Sequence, residues 1–275
     1  MDFETIIFEE EDHVARVTLN RPEAMNTINL DMNDELNEAL RYVSQNDGLR
    51  VLLIRASGRA FCAGGDFRPS QVRTGQLGAG EAEDMAPAYD AVRKGKLLPE
   101  VIQLNLALQR LEKPTLAVVN GHAIGHGMDL AMSCDMRVGS PNARFVAAFI
   151  KMGLPPVTGG VWLLPRIVGL GRALEAVLTG DPIDGEEAYR IGLLNKLAPA
   201  EQLDEEAMKL ARKLAAGAPI ASRMAKMGIY KGLETDMETS LAFTTACAYI
   251  AQNTEDHREG VQALAEKRPP VFHDR

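Results

Sequence analysis

Cysteine is scarce in this chain of 275 residues, with only Cys62, Cys134 and Cys247, and their spacing is not that of a metal site. An odd, small count excludes a disulfide-stapled scaffold and fits a reducing compartment. No apolar run reaches the roughly 20 residues that span a bilayer, and Met1-Asp-Phe-Glu lacks the features of a secretory leader. A cytoplasmic protein with no membrane association is expected. Excess positive charge is missing too: 30 Lys and Arg stand against 38 Asp and Glu, a formal net charge of −8. That balance argues against a general nucleic-acid or anionic-surface binder, a local basic patch apart. No sequence repeat of fixed period is present. What remains is ordinary for a globular protein, 46% hydrophobic and 25% charged residues.

Apolar alternation predicts strands over Thr5–Glu10 and Val14–Leu19, with Glu11-Asp-His13 as the turn between them. Met32, Leu36, Leu40 and Val43 recur at helical spacing, and Asn46-Asp-Gly48 ends that helix. Val51–Ala56 follows as a strand. The stretch from Arg68 to Glu100 is polar and rich in Gly, Ala and Glu, the composition of a lid or helical excursion. Val101–Leu111 reads as a helix, Thr115–Asn120 and Met136–Ser140 as strands. From Pro182 onward the reading is almost entirely helical, broken at Gly192, Pro199, Gly217-Ala-Pro219 and Gly232. The shift divides the chain into a core over 1–200 and a helical region over 201–275.

Two segments carry the chemistry. Val51-Leu-Leu-Ile54 leads into Ala60-Phe-Cys-Ala-Gly-Gly-Asp66, and Leu116-Ala-Val-Val119 leads into Gly121-His-Ala-Ile-Gly-His-Gly-Met-Asp129. Glycine permits close approach of backbone to a ligand and positive φ, so that N–H groups point outward. The run Met128–Cys134 reads as a helix, whose start offers free N–H donors and the positive end of a dipole. Two such loops facing one point make an oxyanion hole. One strand-glycine-helix junction alone would equally suit a nucleotide site or a plain tight turn.

As a pair, these motifs resemble the crotonase superfamily of enoyl-CoA hydratases and isomerases. The likeness starts at Val14-Ala-Arg-Val-Thr-Leu-Asn-Arg-Pro-Glu-Ala-Met-Asn26 and runs through both loops, Gly159-Gly160 and Leu178-Thr-Gly-Asp181. It continues over Ala188…Gly192-Leu-Leu-Asn195 to Glu266-Lys-Arg-Pro-Pro-Val-Phe272, and so covers nearly the whole chain. The resemblance implies an α/β fold, a spiral of repeated β-β-α turns with a C-terminal helical region that assembles homotrimers or hexamers. A tail packed only on its own core is the alternative. It also implies an acyl-CoA substrate, with coenzyme A entering as part of it and no separate cofactor.

Carried across residue by residue, the two thioester-binding N–H groups fall on Gly65 and His126. The first hydratase carboxylate falls on Asp129 and the second on Phe149, which cannot move a proton. CoA and acyl contacts fall on Ala24, Met25, Ala63, Gly64, Gly65, Asp66, Phe67, Arg68, Ile124, Gly125, Phe149 and Pro156. Two carboxylates grip and split a water, whereas one suffices to shuttle a proton between carbons. The resemblance therefore favours double-bond isomerisation over hydration, with hydration by Asp129 alone and a catalytically weak acyl-CoA-binding scaffold as alternatives. The pattern is a hybrid, because phenylacetate-pathway isomerases place an Asp where this chain has Val157-Thr158.

Several residues keep a second reading. Asp129 also suits a helix first-turn acid that serves only the dipole. His126 supplies its N–H alone, or also its ring to substrate or to Asp129. His122 and His126 stand four apart, but the intervening glycines argue against a helical zinc face, and no metal is expected. Arg68, Lys267 and Arg268 suit either CoA phosphates or solvent. Cys62 reads as a small core residue, Trp162 as helix packing, and Asp181 and Asp184 as turn and capping groups.

Overall fold

A computed structural model describes residues 1–66 and 100–275; the expected lid, and with it Phe67 and Arg68, lies outside the described residues. The N-terminal hairpin forms as β1 (Ile6–Glu11) and β2 (Val14–Leu19), turning through Asp12 and His13 at positive φ. Asn29 then caps α1 (Leu30–Gln45) by accepting from the Met32 amide, and Met32, Leu36, Leu40 and Val43 are buried. At the other end, the buried ammonium of Lys113 donates to the carbonyls of Val43 and Asn46, both at 2.7 Å. A cation there meets the negative end of the helix dipole.

Among the described residues the main sheet has six strands in the order β1-β2-β3-β5-β7-β10, where β3 is Val51–Ala56, β5 Thr115–Val119, β7 Met136–Gly139 and β10 Lys196–Leu197. Only β1 runs antiparallel to its neighbour. After a short turn, β3, β5 and β7 each continue into a second strand: β4 (Ala60–Cys62), β6 (His122–Ile124) and β8 (Arg144–Val146). These pair in parallel into a smaller sheet that β9 (Ile183–Asp184) closes antiparallel. Helices return the chain: α2 (Glu100–Arg110), α3 (His126–Ser133), α4 (Gly160–Val168), α5 (Leu170–Thr179) and α6 (Gly185–Arg190). The result is the spiral of β-β-α turns. The stretch after Pro182 departs from the helical expectation, because β9 and β10 each add two residues to a sheet edge. Strands of two or three residues are too short to show a period of two.

The strands of the main sheet read as unbroken apolar runs because both faces are covered. Leu52, Ile54, Ala117 and Val119 pack toward α1, α2 and α3. Val51, Leu53, Leu116 and Val118 face the other way, onto Ala207, Met208 and Ala211 of α7 (Leu203–Ala215). The first helix after residue 200 is thus a layer on the main sheet.

The chain ends in α8 (Pro219–Gly232), α9 (Met237–Gln252) and α10 (Glu255–Glu266). Gly228 lies under Thr244 and Gly232 under Ser240, so α8 and α9 form an antiparallel pair. In the 16-residue α9 only Cys247 is buried, while Leu241, Tyr249 and Ile250 are exposed.

Candidate active site

Parallel pairing of β4 with β6 brings the two glycine loops together, since both leave the carboxyl ends of neighbouring strands. Gly64 has φ +106, and a Cβ placed on it would stand 3.0 Å from the Ile124 carbonyl oxygen and 3.8 Å from the His126 amide nitrogen. Gly125, at φ +53, turns the chain from β6 into α3. Gly127 sits so close to β4 that a Cβ would fall 2.1 Å from the Cys62 carbonyl oxygen. The side chains absent at these positions are what lets the loops meet.

Helix α3 starts at His126, two residues before the sequence pattern shows it, because the glycines hide its first turn. The His126 N–H is a first-turn donor with no intrahelical acceptor. Among the described residues, the Gly65 N–H likewise has no protein partner, although its neighbours are bound: Ile28 N–H donates to Gly64 O at 2.8 Å and Asp66 N–H to Ile28 O at 2.9 Å. The two donors expected from the resemblance therefore lie on adjoining loops with their hydrogens uncommitted.

The Ala24-Met25-Asn26 segment is laced to the first loop. Met25 and Asn26 are both left-handed, at φ 50 and 55. The Ala63 N–H donates to Met25 O at 3.0 Å. The buried Asn26 amide donates to the carbonyls of Ser57 and Ala60 and accepts from Arg21 N–H. Arg21 also reaches Asp66 at 3.4 Å. Ala24, Met25, Ala63, Gly64, Gly65 and Asp66 thus form one connected wall.

Asp129 lies in the first turns of α3, on the same face as His126, and is 3% exposed. Its Oδ2 accepts from the Thr158 hydroxyl at 2.5 Å and from Gly160 N–H at 3.1 Å. Oδ1 receives no hydrogen bond among the described residues and faces Gly160, where a Cβ would stand 2.4 Å away. Burial pushes this carboxyl up to about 7 against the two hydrogen bonds, which lower it. Such a group gains and loses a proton near neutral pH.

His126 is buried, and its ring Nε2 pairs with Asn105 Oδ1 at 2.8 Å. Burial pulls its pKa down to about 4, so the ring is neutral, and Nδ1 has no partner among the described residues. The ring's Nε2 is thus taken by Asn105, and Asp129 bonds Thr158 and Gly160 instead. Phe149, on the 3-10 turn Ala148–Met152, is buried with its ring 3.7 Å from the position of a Cβ on Gly125. An aromatic face thus lies beside the glycine loop, at the position onto which the resemblance maps the second carboxylate. Ile124 is half-buried on β6, and Pro156 is buried two residues before Thr158.

Thr158 and Asn105 are the partners that motif reading did not single out. Thr158 belongs to the Val157-Thr158 pair onto which the resemblance maps an isomerase Asp, its only signal in the sequence. Asn105 is an amide between Leu104 and Leu106, and the other buried side chains described on that helix, Leu104 and Leu108, are apolar. The Cys62 thiol is fully buried and pushed up to about 12, so it stays protonated. His122 is exposed on β6, apart from His126, and the described residues hold no cluster of metal ligands. Arg268 does not stand free: it pairs with Glu259 and Glu266 at 2.6 Å each. Asp184 caps α6 by accepting from Glu187 N–H. Trp162 is half-buried under the Arg166 guanidinium, 4.0 Å from the ring centroid, and also lines a cavity beside Tyr230 and Phe243.

The sequence profile of the enoyl-CoA hydratase/isomerase family matches residues 9–275. The chain is 35% identical to the crotonyl-CoA hydratase of Syntrophomonas wolfei over 99% of both chains. It is also 35% identical to the 1,2-epoxyphenylacetyl-CoA isomerase of Escherichia coli over 98% of both. Among solved structures, the enoyl-CoA hydratase of Bacillus anthracis superposes with a TM-score of 0.87 at 30% identity, covering 99% of this chain and all of that one. This protein belongs to the enoyl-CoA hydratase/isomerase family and has its fold. It is a crotonase-type enzyme acting on CoA thioesters.

Proposed function

We propose that the enzyme isomerises the double bond of an enoyl-CoA through a thioester enolate, with Asp129 as the single proton carrier. The observation that carries this is the buried Asp129 carboxylate, poised near neutral pH, with the Phe149 ring packed against the Gly125 turn at the position expected for a second carboxylate. The amides of Gly65 and His126 hold the thioester oxygen, drawing charge onto it and acidifying the α-carbon. Such donors contribute on the order of a few kcal/mol to the transition state. Asp129 Oδ1 takes the proton from one carbon and returns it two carbons along, while Thr158 and Gly160 fix Oδ2. Coenzyme A enters with the substrate, along Ala24-Met25 and Ala63–Asp66, and no separate cofactor takes part.

A second reading is hydration of a 2-enoyl-CoA by Asp129 alone. It draws support from relatives such as the crotonyl-CoA hydratase, and the same experiment separates the two. Incubated with a 3-enoyl-CoA in deuterated water, the enzyme is expected to move the double bond and place label at the α- or γ-carbon. Asp129→Asn should cut kcat by about 100-fold or more with little change in substrate binding. Brisk hydration of crotonyl-CoA with no isomerisation would establish the second reading. Loss of nothing in Asp129→Asn would remove Asp129 from the chemistry.

A further inference from the structure

A cavity of about 630 Å³ lies between the core and the C-terminal helices. Its walls include Asn105, Thr158, Trp162, Leu163, Tyr230 and Phe243. Asp129 and His126 are one side chain removed from it, through Thr158 and Asn105 respectively. A space of this size behind the reacting carbons suits an acyl group. The polar groups on its inner wall are nearly all spoken for. The Thr158 hydroxyl donates to Asp129, the Ser133 hydroxyl to Asp129 O, the Tyr230 hydroxyl to Asp135, and the Lys226 ammonium to Asp135 and Lys113 O.

Among the buried polar side chains of the cavity wall, Asn105 is the exception. It is 4% exposed, its Oδ1 is held by the His126 ring, and its Nδ2 is buried with no partner among the described residues. A buried amide left unpaired destabilises a fold unless something satisfies it. Exchanging the amide oxygen and nitrogen, with the other tautomer at His126, leaves one unpaired amide atom all the same. A hydroxyl satisfies either, since it both donates and accepts.

We infer that Asn105 is a specificity-determining residue that recognises a hydroxyl on the acyl chain, beyond the carbons that react. The inference rests on the acyl-CoA reading of the site above. It makes the cavity selective for oxygenated acyl groups, because an alkyl chain of equal length leaves the amide unpaired in a dry pocket. Sites built around a hydrogen bond reject the analogue that lacks it more strongly than sites built on size alone.

The test is calorimetric titration of the enzyme with hexanoyl-CoA and with 4-, 5- and 6-hydroxyhexanoyl-CoA, none of which offers a double bond to move. At least one hydroxy isomer is expected to bind about ten-fold tighter than hexanoyl-CoA or better. Asn105→Leu should bring that ratio to about one. Asn105→Ser, which keeps a short donor and acceptor, should retain part of it. Hexanoyl-CoA binding with no isomer bound more tightly overturns the subsite while leaving the thioester reading intact, and an ordered water on Asn105 is then its explanation. A preference that survives Asn105→Leu overturns it as well. Failure of every CoA thioester to bind removes both readings together.

Discussion

At the residue scale, the site is governed by what stands around one carboxylate. Asp129 is buried, which opposes its charge, and is held by one hydroxyl and one amide, which favour it. The active form of a general base is the deprotonated one, so kcat/KM should rise with pH along a limb centred near 7. The Thr158 hydrogen bond favours the anion, so Thr158→Val should move that limb to higher pH, and Thr158→Ser should restore it. A limb that stays put in Thr158→Val would show that Asp129 does not set the pH dependence. His126 contributes no limb of its own near neutrality, because burial keeps its ring neutral down to about 4. Its Nε2 is held by Asn105, so of the two nitrogens only Nδ1 is left open among the described residues.

At the element scale, the decisive contact is between α3 and β4. Helix α3 carries both the His126 amide and Asp129, and it can approach β4 only because Gly127 has no side chain against Cys62 O. Gly127→Ala puts a methyl within 2.1 Å of a backbone carbonyl that cannot swing away. The helix start must move instead. Denaturant unfolding should show a loss of about 1–3 kcal/mol, and kcat should fall at least about ten-fold as donor and carboxylate shift together. A variant with normal stability and normal kcat would mean that the α3–β4 contact is slack. The two strands that make this contact possible, β4 and β6, are three residues each. They were not legible in the sequence, whereas β2 and β3, with six residues of apolar pattern, were.

At the scale of the whole molecule, the C-terminal pair stands out. Helix α9 carries four Ala with Leu241, Phe243, Tyr249 and Ile250 and buries only Cys247, while Ile229 of α8, Leu233 just past its end and Leu264 of α10 are more than half exposed. An apolar face of this extent on a lone chain marks an association surface, and homo-oligomers with closed symmetry are the usual solution. A homotrimer or hexamer is the proposed assembly. Light scattering in dilute solution should give about three or six times the chain mass of 29.9 kDa. A stable monomer would refute it.

By itself the sequence determined the class of chemistry and most of the long elements. Glycine placement and apolar period are local properties, and Gly64-Gly65, Gly125-His-Gly127, Asp129 and the strands of the main sheet can be read from neighbours along the chain. The tertiary structure alone decided what meets what. It put Thr158 and Gly160, 29 and 31 residues away, onto Asp129, and Asn105, 21 residues away, onto the His126 ring. It also set the pKa of both groups, because desolvation depends on packing from every side and has no signature in the order of residues.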